Sequence, residues 1–282
     1  DIPLVATFHT LGLVKSLGGD REPAERIEQE RAIIGCADAV LANTPAEVDE
    51  LVRHYGADPS RIEVVPPGVD HAFFSPGDRA GARHALGLGA EPVALFVGRI
   101  QPLKGLDVAV EALARLDRDD VQLLAVGGTS GRQGARHLEE VLARADELGV
   151  TDRLHLVPAQ PHHLLSTFYR AADVVLVPSR SESFGLVALE AAACGTPVVA
   201  TAVGGLATLV HHGETGLLAA TRDPAEWADL LAHVLADDEA ASRLSAGAVT
   251  EARNYTWAAT AGRLRRVYGD VAARSLVIAC AG

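Results

Sequence analysis

The chain has 282 residues, of which 48% are hydrophobic and 22% charged, and its formal net charge is −12. This length and composition predict a packed protein of one large domain or two ordinary ones, and argue against a disordered chain. The negative charge, with no concentrated basic patch, argues against binding to nucleic acid or to an anionic membrane surface.

Nine short apolar runs are typical of buried strands, and they lie at residues 4–8, 39–42, 62–65, 93–97, 121–126, 154–157, 174–177, 198–200 and 216–218. Patterns with helical periodicity fill the gaps, at residues 22–36, 45–55, 105–116, 135–148, 161–171, 186–194 and 225–235. Strands that are apolar throughout and alternate with helices predict an α/β fold, with doubly wound parallel sheets covered on both faces.

Residues 65–77 interrupt this pattern with three prolines and two glycines, as a connector between domains does. We therefore predict a first domain at residues 1–68 and a second at residues 69–255, followed by a C-terminal helical stretch at residues 256–282. The first domain holds three of the predicted strands, fewer than such a domain usually needs. The chain has no methionine, even at position 1. We therefore expect upstream sequence and a truncated first domain.

No apolar run is long enough for an integral membrane segment, and the N-terminus lacks the pattern of a signal peptide. A cytoplasmic protein is expected. Cys36, Cys194 and Cys280 are spaced too widely for a close metal-ligand pair, and they are predicted to be reduced thiols in the core.

Two cations follow the first strand of the second domain. In the run VGRIQPLKG, residues 97–105, Gly98 lets the backbone turn, and Arg99 and Lys104 flank the turn. Both are expected at the carboxyl edge of the sheet, where open α/β folds bind ligands. A guanidinium and an ammonium there can stabilise the charge on a leaving diphosphate. The alternative is a pair of surface cations that contribute little.

Two glutamates flank the start of a short helix in the run SESFGLVALE, residues 181–190. The free N–H groups at this helix start, including those of Phe184, Gly185 and Leu186, suit an anion such as a diphosphate. Glu182 and Glu190, about 10 Å apart at roughly 1.5 Å per helical residue, can accept hydroxyl hydrogen bonds from both ends of a sugar–phosphate–ribose ligand. Alternatively, Glu182 is a partner of the helix dipole and Glu190 a solvated charge.

Taken together, these two runs and GTPVVA at residues 195–200 resemble the retaining glycosyltransferases of family 4. The similarity also includes VPPGVD at residues 65–70 and HTLGLVK at residues 9–15. It implies a GT-B architecture, with two Rossmann-like domains and a C-terminal helix that crosses back to the first. It implies transfer of a sugar from a nucleoside diphosphate sugar, expected to be a UDP-sugar, to a small hydroxyl acceptor, without a metal or other cofactor. A homodimer is compatible with the sequence.

The resemblance also implies roles for single residues. Arg99 and Lys104 match the cations on the donor diphosphate, Glu190 the carboxylate on the ribose, and Glu182 the carboxylate near the donor sugar. The amides that meet phosphate and ribose are those of Gly185, Leu186 and Val187. His9 matches the histidine beside the reacting sugar; alternatively, it is a core histidine at a strand end.

The expected acceptor-binding residues are Thr10, Lys15 and Arg26. Arg26 is equally well read as an i,i+4 partner of Glu30 on a charged helix. The family's glycine-rich loop near the N-terminus has no counterpart in these residues.

Two rival functions remain at this point. A retaining glycoside hydrolase needs two carboxyl groups about 5 Å apart, less than the separation expected for Glu182 and Glu190. A non-catalytic nucleotide-sugar-binding remnant needs only the second domain.

Overall fold

The computed structural model describes residues 2–19 and 21–281, with backbone only for residues 131–132 and 275–281. The chain divides into two compact units. Unit 1 comprises residues 1–68, 181–184 and 255–282, and unit 2 comprises residues 69–180 and 185–254.

Unit 1 is built on a parallel sheet in the order β1-β2-β3. Its strands are β1 (Val5–Thr7), β2 (Ala39–Ala42) and β3 (Ile62–Val64). Every residue of the central strand β2 is buried. Successive side chains of a strand point to opposite faces, so Val40 packs with Leu51 on one face while Leu41 packs with Val267 on the other. Both faces of this sheet are therefore covered.

The helices of unit 1 are α1 (Gly12–Leu17), α2 (Ala24–Cys36), α3 (Pro45–Tyr55) and, from the C-terminal part of the chain, the long final helix Trp257–Ala281. Local sequence sets the bounds of α3. The hydroxyl of Thr44 accepts a hydrogen bond from the Glu47 N–H at 3.2 Å, and Pro45 occupies the first turn. The helix ends at Gly56, whose φ of 69° is left-handed.

Unit 2 is built on a six-stranded parallel sheet with β4 (Val93–Val97), β5 (Gln122–Val126), β6 (Leu154–Val157), β7 (Val174–Val177), β8 (Val198–Thr201) and β9 (Leu217–Ala219). The strand order is β6-β5-β4-β7-β8-β9. From β4 the chain adds β5 and then β6 on one side of the sheet. It then returns to β4 and adds β7, β8 and β9 on the other side. The point between β4 and β7 is thus the topological switch point, where doubly wound sheets bind ligands beyond the carboxyl ends of their strands.

The helices of unit 2 are α4 (Arg79–Ala85), α5 (Leu106–Arg115), α6 (Gly131–Glu147), α7 (Leu165–Ala171), α8 (Leu186–Cys194), α9 (Gly204–Leu209), α10 (Pro224–Ala236) and α11 (Asp238–Ala252), and the final helix of the chain is α12. Buried side chains of α5 and α10 form the main core with β4 and β5. Trp227 of α10 is fully buried there.

All nine predicted strands are present, and the predicted α/β class with parallel sheets is confirmed. The predicted helix at residues 161–171 is shorter than expected: residues 162–164 form a 3₁₀ turn, and α7 begins at Leu165. Helices α1, α4, α9 and α11 were not expected from the sequence pattern.

Two of the cysteines can be compared with the prediction. Cys194 is buried as predicted, but Cys36 is exposed, so the prediction of a core thiol is wrong for Cys36. The Cys280 side chain lies outside the described residues. No helix within the described ranges is long and apolar enough to cross a membrane.

Candidate functional site

The loops that follow β4 and β7 adjoin at the carboxyl edge of the unit 2 sheet. The N–H of Arg180 donates to the carbonyl of Leu103 at 2.8 Å, which ties the two loops together. Gly105 has a φ of 83°, and a Cβ at this position would lie 2.3 Å from the Pro178 carbonyl oxygen. Only glycine allows this approach, and it brings the Arg99–Lys104 turn beside residues 178–180, which follow β7.

The two predicted cations lie on this turn. Arg99 is exposed and Lys104 is half-buried. The N–H of Gly98 donates to Val126 and that of Ile100 to Gly128, at 3.0 and 2.9 Å, so the backbone that carries Arg99 is fixed to the turn after β5. The sequence-based placement of Arg99 and Lys104 at a strand end of this sheet agrees with the structure.

Helix α8 begins at the same edge. Gly185 precedes it with a φ of 104° and, as the N-cap residue, has no side chain that could cap the helix start. The first N–H groups of a helix have no intrahelical partner, and those of Leu186 and Val187 are among them here. Leu186 is 44% exposed. The helix start can therefore offer backbone donors and the positive end of its dipole to an anion.

Glu190 lies in the second turn of α8 and is 6% exposed, so the alternative of a solvated surface charge is wrong. Its Oε2 accepts a hydrogen bond from the hydroxyl of Tyr169 at 2.7 Å. Its Oε1 lies 2.7 Å from Nε2 of His162. Burial, together with the nearby Glu190 carboxylate, raises the pKa of Tyr169 well above its ordinary value. The phenol therefore stays protonated and serves as a donor.

In unit 1, segment 181–184 contacts the end of β1. The Ser183 hydroxyl donates to the carbonyl of His9 at 2.9 Å, which places the segment carrying Glu182 next to His9. The His9 side chain is exposed, so the alternative of a core histidine is wrong. Glu182 is half-buried, and the buried ring of Phe184 packs edge-on against Tyr255 with 5.6 Å between centroids.

The three expected acceptor-binding residues also belong to unit 1, and the structure brings them together. The guanidinium of Arg26 donates to the carbonyl and hydroxyl oxygens of Thr10 at 2.9 and 3.3 Å. Its NH1 lies 2.7 Å from Glu22, which also pairs with Lys15. Arg26 Nε lies 2.8 Å from Glu30, so the predicted i,i+4 pair with Glu30 is present as well.

Glu30 is the buried centre of this cluster. Its carboxylate accepts both the N–H of Gly12, at 3.1 and 2.9 Å, and the hydroxyl of Tyr55. Burial and the bond to Glu30 raise the pKa of Tyr55 to about 12. Burial alone would raise the pKa of Glu22, but hydrogen bonds and charges from Lys15 and Arg26 outweigh it and lower that pKa. The network thus fixes the backbone at the start of α1 and the direction of Arg26.

Sequence reasoning missed Tyr169, His162 and Tyr55 as partners of these carboxylates. Tyr169 and Glu190 are separated by 21 residues, and Tyr55 and Glu30 by 25. No local spacing rule links residues so far apart, because only tertiary packing brings α7 to α8 and α3 to α2. Within the described part of the chain, no group of three or more His, Cys, Asp or Glu residues is arranged to hold a metal ion.

Two family models match the sequence. Residues 79–250 match the model "Glycosyl transferases group 1", and residues 1–73 match "Glycosyltransferase Family 4". Together they include all five runs that carry the predicted resemblance.

Similar proteins include D-inositol 3-phosphate glycosyltransferases from Nocardia farcinica and Mycolicibacterium vanbaalenii. They are 49% and 50% identical to this chain over 95% of its length. The chain spans 61% and 62% of those proteins.

The fold is similar to that of solved glycosyltransferases. Sucrose-phosphate synthase from Thermosynechococcus elongatus superposes with a TM-score of 0.88 and 34% identity, over 96% of this chain and 68% of that protein. Anabaena HepE in complex with UDP and glucose gives a TM-score of 0.85 at 22% identity, over 96% of this chain and 71% of that one. These neighbours carry the predicted GT-B fold. The predicted resemblance is confirmed, and the chain belongs to the group 1 glycosyl transferases.

Proposed function

We propose that this protein transfers a sugar from a nucleoside diphosphate sugar to a hydroxyl group of a small acceptor, with retention at the anomeric carbon. The observation that carries the proposal is the position of two features on one sheet edge: the Arg99–Lys104 turn and the start of α8 after Gly185. Both lie beyond the carboxyl ends of β4 and β7, at the switch point.

A diphosphate suits this edge for electrostatic reasons. The net charge of −12 disfavours anions at long range, so a phosphate must be held by local donors. One guanidinium, one ammonium and the helix N–H groups can supply them. They also stabilise the charge that grows on the diphosphate as it leaves, which makes a divalent cation unnecessary in this proposal.

The reaction has a simple balance. The bond between the sugar's anomeric carbon and the diphosphate oxygen breaks, and its electron pair goes to the diphosphate. A bond forms from the acceptor oxygen to the same carbon, on the same face of the sugar. The acceptor's proton passes to an oxygen of the departing diphosphate. Arg99 and Lys104 act on the leaving group, whereas His9 and Glu182 hold sugar hydroxyls, as the family resemblance implies.

For the donor we infer a UDP-sugar. HepE has been solved with UDP and with UDP-glucose, and that similarity supports the same nucleotide class here. Glu190 is proposed to bind the ribose, because a carboxylate oxygen accepts hydrogen bonds from hydroxyl groups.

For the acceptor we infer a phosphorylated polyol or sugar. Relatives at 49–50% identity are named D-inositol 3-phosphate glycosyltransferases, and sucrose-phosphate synthase is a structural neighbour. The cluster of Thr10, Lys15 and Arg26 brings two cations and a hydroxyl together, a combination that suits a phosphate group, which would compete with Glu22 for both cations. D-inositol 3-phosphate is therefore the first acceptor to test.

The second candidate is a non-catalytic nucleotide-sugar-binding protein. It is kept because Arg99, Lys104 and the first N–H groups of α8, which are proposed to hold the donor diphosphate, all lie in unit 2. The two candidates differ in turnover alone.

Binding and turnover should be measured separately on the full chain. Calorimetry with UDP and a panel of UDP-sugars tests the donor site, and Arg99→Ala and Lys104→Ala should each weaken UDP binding at least about tenfold, since each removes a charge-assisted contact. Arg136→Ala is the matched control, because Arg136 is 81% exposed on α6 and pairs with Glu140. Unchanged affinity in both site variants would refute the proposed site.

Turnover is followed as release of UDP with D-inositol 3-phosphate as acceptor, and the anomeric configuration of the product is read by NMR. An α-linked product from an α-linked donor supports retention. UDP binding without turnover for any acceptor would favour the binding protein over the enzyme.

A further inference from the structure

Tyr169 is a polar side chain at the centre of an apolar region. It lies on α7, is fully buried, and packs its ring against Phe74 with 6.0 Å between centroids. A phenylalanine would fill the same space without burying a hydroxyl. The hydroxyl therefore needs a partner, and its partner is Oε2 of Glu190 at 2.7 Å.

The backbone around Tyr169 is also fixed. Its carbonyl accepts a hydrogen bond from the hydroxyl of the buried Thr196 at 2.6 Å, which joins the end of α7 to the turn between α8 and β8. Because ring and backbone are both held, the phenol can impose one position on the Glu190 carboxylate. Tyr169 donates a single bond and remains protonated because its pKa is raised.

His162, at the other carboxylate oxygen, differs from Tyr169 in exposure and in the element that carries it. Its side chain is 66% exposed, and it lies on the 3₁₀ turn that follows β6. Its ring packs against Phe74 at 4.9 Å. An exposed side chain on a short turn can rotate at little cost, so Oε1 of Glu190 is the oxygen that an incoming hydroxyl can reach.

We propose that Tyr169 is a positioning residue for donor recognition: it holds Oε2 of Glu190 so that Oε1 accepts a ribose hydroxyl of the nucleotide. This inference rests on the proposed function, in which Glu190 meets the ribose. Tyr169 itself does not touch the ligand. It acts only through the carboxylate.

The experiment compares two nucleotides, UDP and its 2′,3′-dideoxy analogue, which lacks the ribose hydroxyls. The dissociation constants of both are measured by calorimetry for the parent, Tyr169→Phe and the matched control Tyr268→Phe, whose side chain is 52% exposed on α12. The parent should bind UDP more tightly than the dideoxy analogue. In Tyr169→Phe, UDP binding should weaken about tenfold, the value expected for a lost bond to a charged group, while binding of the dideoxy analogue stays unchanged.

A purely structural role would give a different result. If Tyr169→Phe weakens both nucleotides equally, or neither, the inference is wrong. If the parent binds no UDP, the proposed function itself is wrong. This outcome is distinct from the results that would refute the inference about Tyr169 alone. A second variant does not depend on the folding of Tyr169→Phe: His162→Ala leaves Oε2 held and should keep the preference of the parent for UDP. Loss of that preference in His162→Ala would show that His162, and not Tyr169, positions the carboxylate.

Discussion

The backbone of Gly127 lies against the carbonyl of Gly98 so closely that a Cβ on Gly127 would stand 1.8 Å from that oxygen. These residues begin the turns after β5 and β4, next to each other in the sheet. The turn that carries Arg99 therefore depends on the absence of a side chain at residue 127.

Gly127→Ala is predicted to destabilise the protein by about 3 kcal/mol or more, because backbone must move to relieve a clash with backbone. The free energy of unfolding is measured by urea denaturation. The matched control is Gly128→Ala: a Cβ there would meet its nearest atom at an ordinary 3.9 Å. We expect a change within about 0.5 kcal/mol for this control. Equal effects of the two substitutions would contradict the geometry.

The two described thiols are predicted to differ in reactivity. Cys194 is buried, and burial outweighs the opposing charge of Arg170 and, with a smaller contribution from Glu190, raises its pKa to about 12. Cys36 is exposed at the end of α2. Since the thiolate is the nucleophile, iodoacetamide at pH 8 should modify Cys36 in the folded protein and Cys194 only after denaturation. Peptide mass spectrometry locates the modified residue, and modification of folded Cys194 at the rate of Cys36 would refute this.

Much of unit 2 could be predicted because parallel strands are apolar on both faces. The runs at residues 93–97 and 174–177 show this directly, and strand ends then place Arg99 and the start of α8 on one edge. Helix α11 was missed because its buried face consists mostly of alanine, at Ala240, Ala248 and Ala252 with Leu244. Small side chains give little contrast in hydropathy, yet they allow close packing of α11 against α8.

The cations of the candidate site could be predicted from the sequence, but only some of the hydrogen-bond partners in the site could be predicted. The Arg26–Glu30 pair follows from helical spacing, four residues apart. The bonds from Tyr55 to Glu30 and from Tyr169 to Glu190 depend on how separate helices pack. The alanine-rich neighbours of Glu190 agree with its burial, whereas the identity of the donors that compensate this burial does not follow from the sequence.

Glu47 is predicted to make stability depend on pH. It is 2% exposed, and its Oε2 accepts from the backbone and side-chain amides of Asn43 at 2.6 and 2.8 Å. Burial, with a contribution from Glu50 against the opposing bonds from Asn43, raises its pKa from 4.5 to about 7. A carboxyl with a raised pKa contributes stability that is fully present below pH 4.5 and is lost as the pH rises through 7.

The test compares the parent with Glu47→Gln, which does not titrate. The difference in unfolding free energy, variant minus parent, should rise by on the order of 3 kcal/mol between pH 4.5 and pH 8, at about 1.4 kcal/mol per pKa unit. Urea denaturation at several pH values measures the difference. Glu139→Gln, on the exposed side of α6, is the control and should show a constant difference. A difference independent of pH for Glu47→Gln would show that the carboxyl does not titrate as described.

Removal of the Glu30 carboxylate should damage both stability and acceptor binding. Glu30→Ala leaves the N–H of Gly12, the hydroxyl of Tyr55 and one edge of the Arg26 guanidinium without their acceptor. The expected loss of unfolding free energy is about 3 kcal/mol, as for other broken buried pairs. Because Arg26 also loses its fixed direction, KM for a phosphorylated acceptor should rise more than KM for the UDP-sugar.

Glu28→Ala, on the exposed face of the same helix, is the control and should leave the unfolding free energy and both KM values unchanged. An equal rise in both KM values for Glu30→Ala would mean that the cluster stabilises unit 1 without a specific part in acceptor binding.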